Sequence, residues 1–226
     1  MVKDVKKPLI VAKSALTNSA MTVKEDIGCD GIEIQLLNEL INSSKLSDCN
    51  KAEDAYDLSC LEKHNIIAVH TPLLFAFGLN DVCIETLCNI QDFVLFDQVC
   101  YIANKAGELQ SSKVIVVIHS ESYRDCMISV GDTWKRLLNS IGCVLFKYPY
   151  IEIALENVVP MKEVRDGKVH FCNNFYDDNI VIVNELRKQL KTDRVGTVLD
   201  VCHAEMTIQI YKVLYEYYPS MFQTRI

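Results

Sequence analysis

Four apolar runs in this chain end on side chains that can hold a metal ion or move a proton. Ile66-Ile67-Ala68-Val69 leads to His70, and Val114-Ile115-Val116-Val117-Ile118 leads to His119. Ile151 to Leu155 leads to Glu156 and Asn157, and Val195 to Leu199 leads to Asp200 and then His203. The chain has five histidines, and three of them stand at these exits. Imidazole nitrogens and carboxylate oxygens together suit a divalent cation, Zn²⁺ or Mn²⁺ first, with Mg²⁺ and Co²⁺ as further candidates. A carboxylate that closes an almost wholly apolar strand is costly to desolvate without a partner. Glu156 and Asp200 are therefore read as site residues. His70, before Thr71-Pro72, and His119, beside Ser120-Glu121, each read equally well alone as a ligand or as a hydrogen-bonded structural histidine.

The elements that must position these groups follow from the same runs. Short stretches rich in β-branched residues are what parallel strands buried on both faces look like. Strands are expected over Leu9–Ala12, Gly31–Leu36, Ile66–His70, Lys113–His119, Ile151–Glu156 and Val195–Asp200. Amphipathic stretches lie between or after them, over Asn50–His64, Asp81–Gly107, Gly131–Leu145, Asp177–Leu190 and Thr207–Tyr218. Asp177 and Asp178 open one of these, and Arg187, Lys188 and Lys191 close it, the polarity that the helix dipole favours. Strand-helix alternation of this kind predicts an α/β fold with a parallel sheet and helices outside it. In a parallel barrel all strands release their C-terminal ends at one rim, so the exit residues would meet around one pocket. Glu33, set among apolar neighbours, points inward on an alternating reading, either to line that pocket or to form an interior salt bridge.

Several other features read more plainly. Met161 to Phe171 looks like a hairpin around Asp166-Gly167, either a lid over the Glu156 exit or a surface excursion. His170 within it reads as solvated, and His64 as a partner for a helix C-terminus. Cys202 adjoins His203, but neighbours on an extended chain point apart, which disfavours a thiol nucleophile.

At 226 residues and half hydrophobic, the chain can bury one large core, and residues 1–226 are read as one domain. The net charge of -7 and the pI of about 5.3 disfavour a nucleic-acid partner. Ten cysteines occur without a CxxC pair, which points to reduced thiols in a cytoplasmic protein. Cys143 and Cys202 lie in apolar runs, where cysteine behaves as a small hydrophobe. Met1 to Leu16 reads as a first strand, not a signal peptide, and no run reaches the roughly 18 apolar residues of a membrane span. The six strand centres are spaced by about 37 residues, within the range of β/α units. A complete eight-stranded barrel would need roughly 70 residues beyond Asp200, more than follow it. The expectation is a TIM (β/α)8-type barrel with about six units present and the seventh and eighth strands missing. Either the chain is part of a larger protein or a partner completes it, a homo-oligomer being one form of that.

At these residues the chain resembles the xylose isomerase-like TIM-barrel superfamily, which holds sugar-phosphate isomerases and epimerases and endonuclease IV-like nucleases. The resemblance runs through Asp30-Gly31-Ile32-Glu33-Ile34, Val69-His70-Thr71-Pro72, Val117-Ile118-His119, Ala154-Leu155-Glu156-Asn157 and Val198-Leu199-Asp200-Val201-Cys202-His203. It implies that Glu156 and Asp200 are metal ligands and that Glu156 also moves a proton at the substrate carbon. It implies that His203 contacts substrate oxygen or a metal, that His70 and His119 bind metal or line the pocket, and that Glu33 and Asn157 border the substrate. The activity implied is metal-dependent isomerisation or epimerisation of a small sugar or sugar phosphate through an enediolate. The other branch implies a zinc phosphodiesterase acting on abasic DNA, and the missing strands leave room for a barrel that only binds. Two departures stand out. The superfamily draws a further histidine and glutamate from strands seven and eight, and Ser120-Glu121-Ser122 follows His119 where many relatives have Pro-Gly.

Overall fold

A computed structural model describes residues 9–26, 28–36, 56–71, 90–119, 130–157, 162–165, 168–171 and 176–217. Six strands form one parallel sheet: β1 (Val11–Ser14), β2 (Gly31–Gln35), β3 (Ile66–His70), β4 (Val114–His119), β5 (Ile151–Glu156) and, past a hairpin, β8 (Val195–Val198). Their spatial order is their chain order, with β1 and β8 at the two ends of the sheet. The hairpin is β6 (Lys162–Arg165) paired antiparallel with β7 (Lys168–Phe171), as the Asp-Gly turn predicts. His170 lies on β7 in register with Glu163; the turn itself falls outside the described residues.

The helices are α1 (Asn18–Asp26), α2 (Ile90–Gln110), α3 (Val130–Lys147), α4 (Tyr176–Leu190) and α5 (Val201–Tyr217). A short 3-10 turn, Leu58–Glu62, precedes β3. The helix expected over Asn50–His64 is thus a single tight turn at its described end, with Asp57 accepting from the Ser59 amide. Residues 50–55 and 81–89, where parts of two predicted helices fall, lie outside the described residues, as does the segment after His119.

Side-chain alternation divides the sheet into two faces. Ile32, Ile34, Ile66, Val69, Val114, Val116, Ile118, Ile151, Ile153, Leu155 and Val195 turn to one face, where they join helix residues in a single buried cluster. Helix α3 shows why it docks there: Leu137, Ile141, Val144 and Leu145 recur at helical spacing and are all buried, while Phe146 is exposed. Helix α2 contributes Phe96, Val99, Cys100, Ile102, Ala103 and Ala106 to the same cluster. The opposite face carries Ala68, Val117 and Ala154, small or medium and buried, and then the polar exits. Among the described residues, the helices that pack on the sheet join this one cluster, which makes the sheet the wall of a barrel and not a doubly wound sheet. Among the described residues the sheet does not close.

Two details depart from the sequence reading. Helix α5 begins at Val201, not Thr207, because Asp200 caps it: its Oδ1 accepts the His203 amide at 2.9 Å. Cys143 and Cys202 are exposed, not buried, because each falls on the outward side of a helix. The five described cysteines are free thiols. No described helix is long and apolar enough to cross a membrane.

Candidate functional site

His70, His119 and Glu156 are the last residues of three consecutive parallel strands. The ladder pairs His119 directly with Glu156, and pairs His70 with Val117. Residues of equal parity share a face, so all three side chains point to the side away from the helices. They meet there. His70 Nε2 lies 2.8 Å from Glu156 Oε2, and His119 Nε2 lies 3.3 Å from the same oxygen. The imidazole rings stand edge to face with centroids 4.9 Å apart. All three residues are buried, with Glu156 only 3 % exposed.

Burial opposes ionisation of Glu156 and is the largest single influence on it. The hydrogen bonds from His119 and His70, with the charge on both rings, outweigh that and hold the carboxyl well below its ordinary value. The orientation of His70 is fixed from behind. Its Nδ1 sits 2.7 Å from the Thr71 carbonyl, whose oxygen can only accept, so Nδ1 carries the hydrogen. Thr71 is in turn held by its amide, which donates to the Val117 carbonyl at 3.0 Å. With Nδ1–H engaged, Nε2 faces the Glu156 carboxylate and needs a proton or a cation between them. A ring whose far nitrogen donates to a backbone carbonyl is the usual support of a metal-ligating histidine. The donor set therefore fits a divalent cation.

A second group forms around the same carboxylate. Glu156, Asp200 and His203 each offer a ligand atom, and these atoms lie within 4.8 Å of one another, as do those of His70, His119 and Glu156. Ligands about 2 Å from a shared zinc ion stand about 3.4 Å apart in a tetrahedral site, so either group needs only modest closing to hold one. Asp200 and His203 are less enclosed, with side chains 24 % and 29 % exposed. His203 is also fixed through Nδ1, 2.9 Å from the Asn157 carbonyl, which leaves Nε2 as its outward donor. The five residues expected from the sequence as ligands thus fall into two groups of three that share Glu156.

The remaining expected residues are placed differently. Glu33 is on the inner face of β2 and lies 3.2 Å from Lys13, its ladder partner on β1. It forms the salt bridge that the alternation left open, on the end strand of the sheet and with the lysine half exposed. Lys13 is a residue the sequence reading passed over: it interrupts an apolar run, and that interruption was itself the signal of an inward charge. Asn157 is buried, and both ends of its amide are taken up by the Asp200 main chain. His64, just past the 3-10 turn, is buried with Nδ1 2.9 Å from Glu25 of α1.

No protein-family model matches the chain, and no curated protein sequence is detectably similar to it. Solved structures do match in shape. A 3-keto-D-glucoside 4-epimerase from E. coli, in its apo form, superposes with a TM-score of 0.52 at 10 % identity. That match covers 92 % of this chain and 75 % of the epimerase. An L-ribulose 3-epimerase gives a TM-score of 0.50 at 17 % identity, covering 88 % of this chain and 63 % of its own. The chain therefore spans about three-quarters of one and under two-thirds of the other. At such identities the likeness establishes the fold alone: an α/β barrel of TIM type, with its sheet open among the described residues.

Proposed function

We propose that this chain, with its xylose isomerase-like barrel fold, is a divalent-metal-dependent isomerase or epimerase of a small sugar or sugar phosphate. The observation that carries this reading is Glu156, a buried carboxylate kept ionised by two imidazoles at the C-terminal rim of a parallel sheet. Both superposed structures are sugar epimerases, which supports the same class.

Glu156, Asp200, His203, His119 and His70 are the residues that would hold the cation. Zinc or manganese fits these nitrogen and oxygen donors best. Once bound, it would supply Lewis-acid polarisation of a sugar carbonyl and its neighbouring hydroxyl. The protein's own part is positional and acid-base. Glu156, already stripped of water and ionised, takes the proton from the carbon beside the carbonyl. Thr71 and Asn157 hold the rings of His70 and His203 so that each presents Nε2 to cation or sugar oxygen. Lys13 and Glu33, on the inner wall, offer a donor and an acceptor to sugar hydroxyls.

The test is metal content by plasma mass spectrometry on protein purified without added metal, beside a double variant E156A/D200A, followed by a sugar panel. Near-stoichiometric zinc or manganese, lost in the double variant, supports the reading, as does turnover of one sugar. Turnover in E156A above a tenth of the wild-type rate would remove Glu156 from the proton-transfer role.

One observation favours a second reading, a zinc phosphodiesterase acting on abasic DNA. Two donor groups share the Glu156 carboxylate, an arrangement suited to paired cations that activate water. The net charge of -7 weighs against a polyanionic substrate. Cleavage of an abasic-site duplex in the absence of magnesium would decide for it.

A further inference from the structure

We infer that Asn157 is the positioning residue of this site, a clasp that sets Asp200 and His203 and itself touches no substrate. The inference rests on the metal-site reading above for its purpose, but on geometry for its content. Asn157 follows Glu156 directly, so its side chain points away from the inner face and toward the neighbouring strand exit. There its Oδ1 accepts the Asp200 amide at 2.7 Å, and its Nδ2 donates to the Asp200 carbonyl at 2.9 Å. A primary amide has the same donor and acceptor pair as a peptide group. It therefore extends the β5–β8 ladder by one rung past Glu156 and Val198, the last pair made by backbone.

That rung has consequences in both directions. Asp200 is held by its main chain, so its carboxylate caps α5 with Oδ1 while Oδ2 lies 3.5 Å from His203 Nδ1. The Asp200 carbonyl also accepts the first helical bond, from Ala204 at 3.0 Å, so the clasp seats the start of α5. The backbone carbonyl of Asn157 fixes His203 by accepting from Nδ1 at 2.9 Å. One residue thus sets the direction of two candidate ligands, and its side chain is 3 % exposed residue surface with both polar ends engaged. At that burial the amide presents almost no surface to a sugar hydroxyl, which separates this role from a pocket-lining one.

Only asparagine meets these demands at this position. Aspartate would present two acceptors, one of them against the Asp200 carbonyl. Leucine, nearly the same shape, would leave the Asp200 N–H without the Asn157 acceptor and its C=O with the Ala204 amide alone. Glutamine keeps the amide but places it one methylene further out.

Two measurements test this. The first needs no variant and no metal: nitrogen-15 shifts of the His203 ring in metal-free wild-type protein at mildly alkaline pH. Nδ1 should carry the hydrogen; a ring protonated mainly at Nε2 overturns the inference. The second is Mn²⁺ affinity by titration calorimetry for wild type, N157L and N157D. Supporting shells of this kind are worth about 10- to 100-fold in affinity. Both variants should lose that much at the Asp200–His203 group, and their His203 ring should no longer be fixed in one tautomer. Unchanged affinity with an unchanged His203 ring in either folded variant overturns the clasp. If wild type binds no Mn²⁺, the metal reading fails, while the tautomer measurement still decides the clasp.

Discussion

Glu156 is the residue on which the site turns, and its energetics can be tested without substrate. In the metal-free protein it is a buried carboxylate between two imidazoles, and removing one partner of such a group costs about 3 kcal/mol or more. Glu156→Gln keeps the shape and removes the charge, so it should destabilise the metal-free protein by about that amount near neutrality. The pH dependence has a definite sign. The folded carboxyl lies below its ordinary value of 4.5, so the unfolded chain takes up the proton first as pH falls. Stability from this group is therefore complete above about pH 5 and is lost progressively below it. Urea unfolding of wild type and E156Q across the acid range should show the gap closing as pH falls; a gap constant with pH would contradict the pairing. Glu156 was legible in the sequence because a carboxylate closing an apolar strand has few structural excuses. Asn157 was legible only as a neighbour. Its partners are main-chain atoms 43 residues away, and no local pattern announces a side chain that bonds to backbone.

At the scale of elements, the strands could be read closely and the helix ends could not. β3 and β5 match their expected bounds, since β-branched runs bounded by polar residues leave little freedom. Helix α2 was expected to stop at Gly107 and instead runs to Gln110, with Ser111 taking the left-handed position at φ 54. Gly107 serves close packing, not termination. A Cβ there would fall 2.7 Å from the Ser112 carbonyl oxygen and 2.7 Å from Tyr150 Cβ. Gly142, inside α3, contrasts with it, since a Cβ would meet only Leu190 Cδ2 at 3.1 Å, the tip of a flexible side chain. Alanine is favoured over glycine within helices by about 1 kcal/mol. Gly142→Ala should therefore be neutral or slightly stabilising. Gly107→Ala should cost about 1–3 kcal/mol through overpacking against backbone that cannot move aside. Denaturant midpoints of the two variants should shift in opposite directions, or at least only G107A should fall. Equal shifts would mean the helix does not approach β4 and β5 as closely as described.

For the whole molecule, the arrangement of the described strand ends shapes the cation site proposed above. Here the described candidates come from β3, β4, β5 and the β8–α5 junction, an arc and not a ring. The two donor groups on that arc differ in enclosure: His70, His119 and Glu156 are buried, while Asp200 and His203 are half-buried. Enclosed ligands are already desolvated and held in place, so less is lost when they close on an ion. Zn²⁺ or Mn²⁺ titrated into metal-free protein should fill the histidine-rich group first and the Asp200–His203 group more weakly. His119→Ala should abolish the tight phase and keep the weak one, and Asp200→Ala the reverse. Glu156→Ala should abolish both, because the two groups share its carboxylate. Calorimetry with mass-spectrometric stoichiometry reads all three. Two phases that survive in E156A would mean the groups are independent, and a single phase lost equally in H119A and D200A would mean one cation spans both. The sequence could single out His70, His119 and Glu156, because each closes an apolar strand. The division of the candidate ligands into a buried and a half-buried group is a property of the assembled sheet, which no local pattern announces.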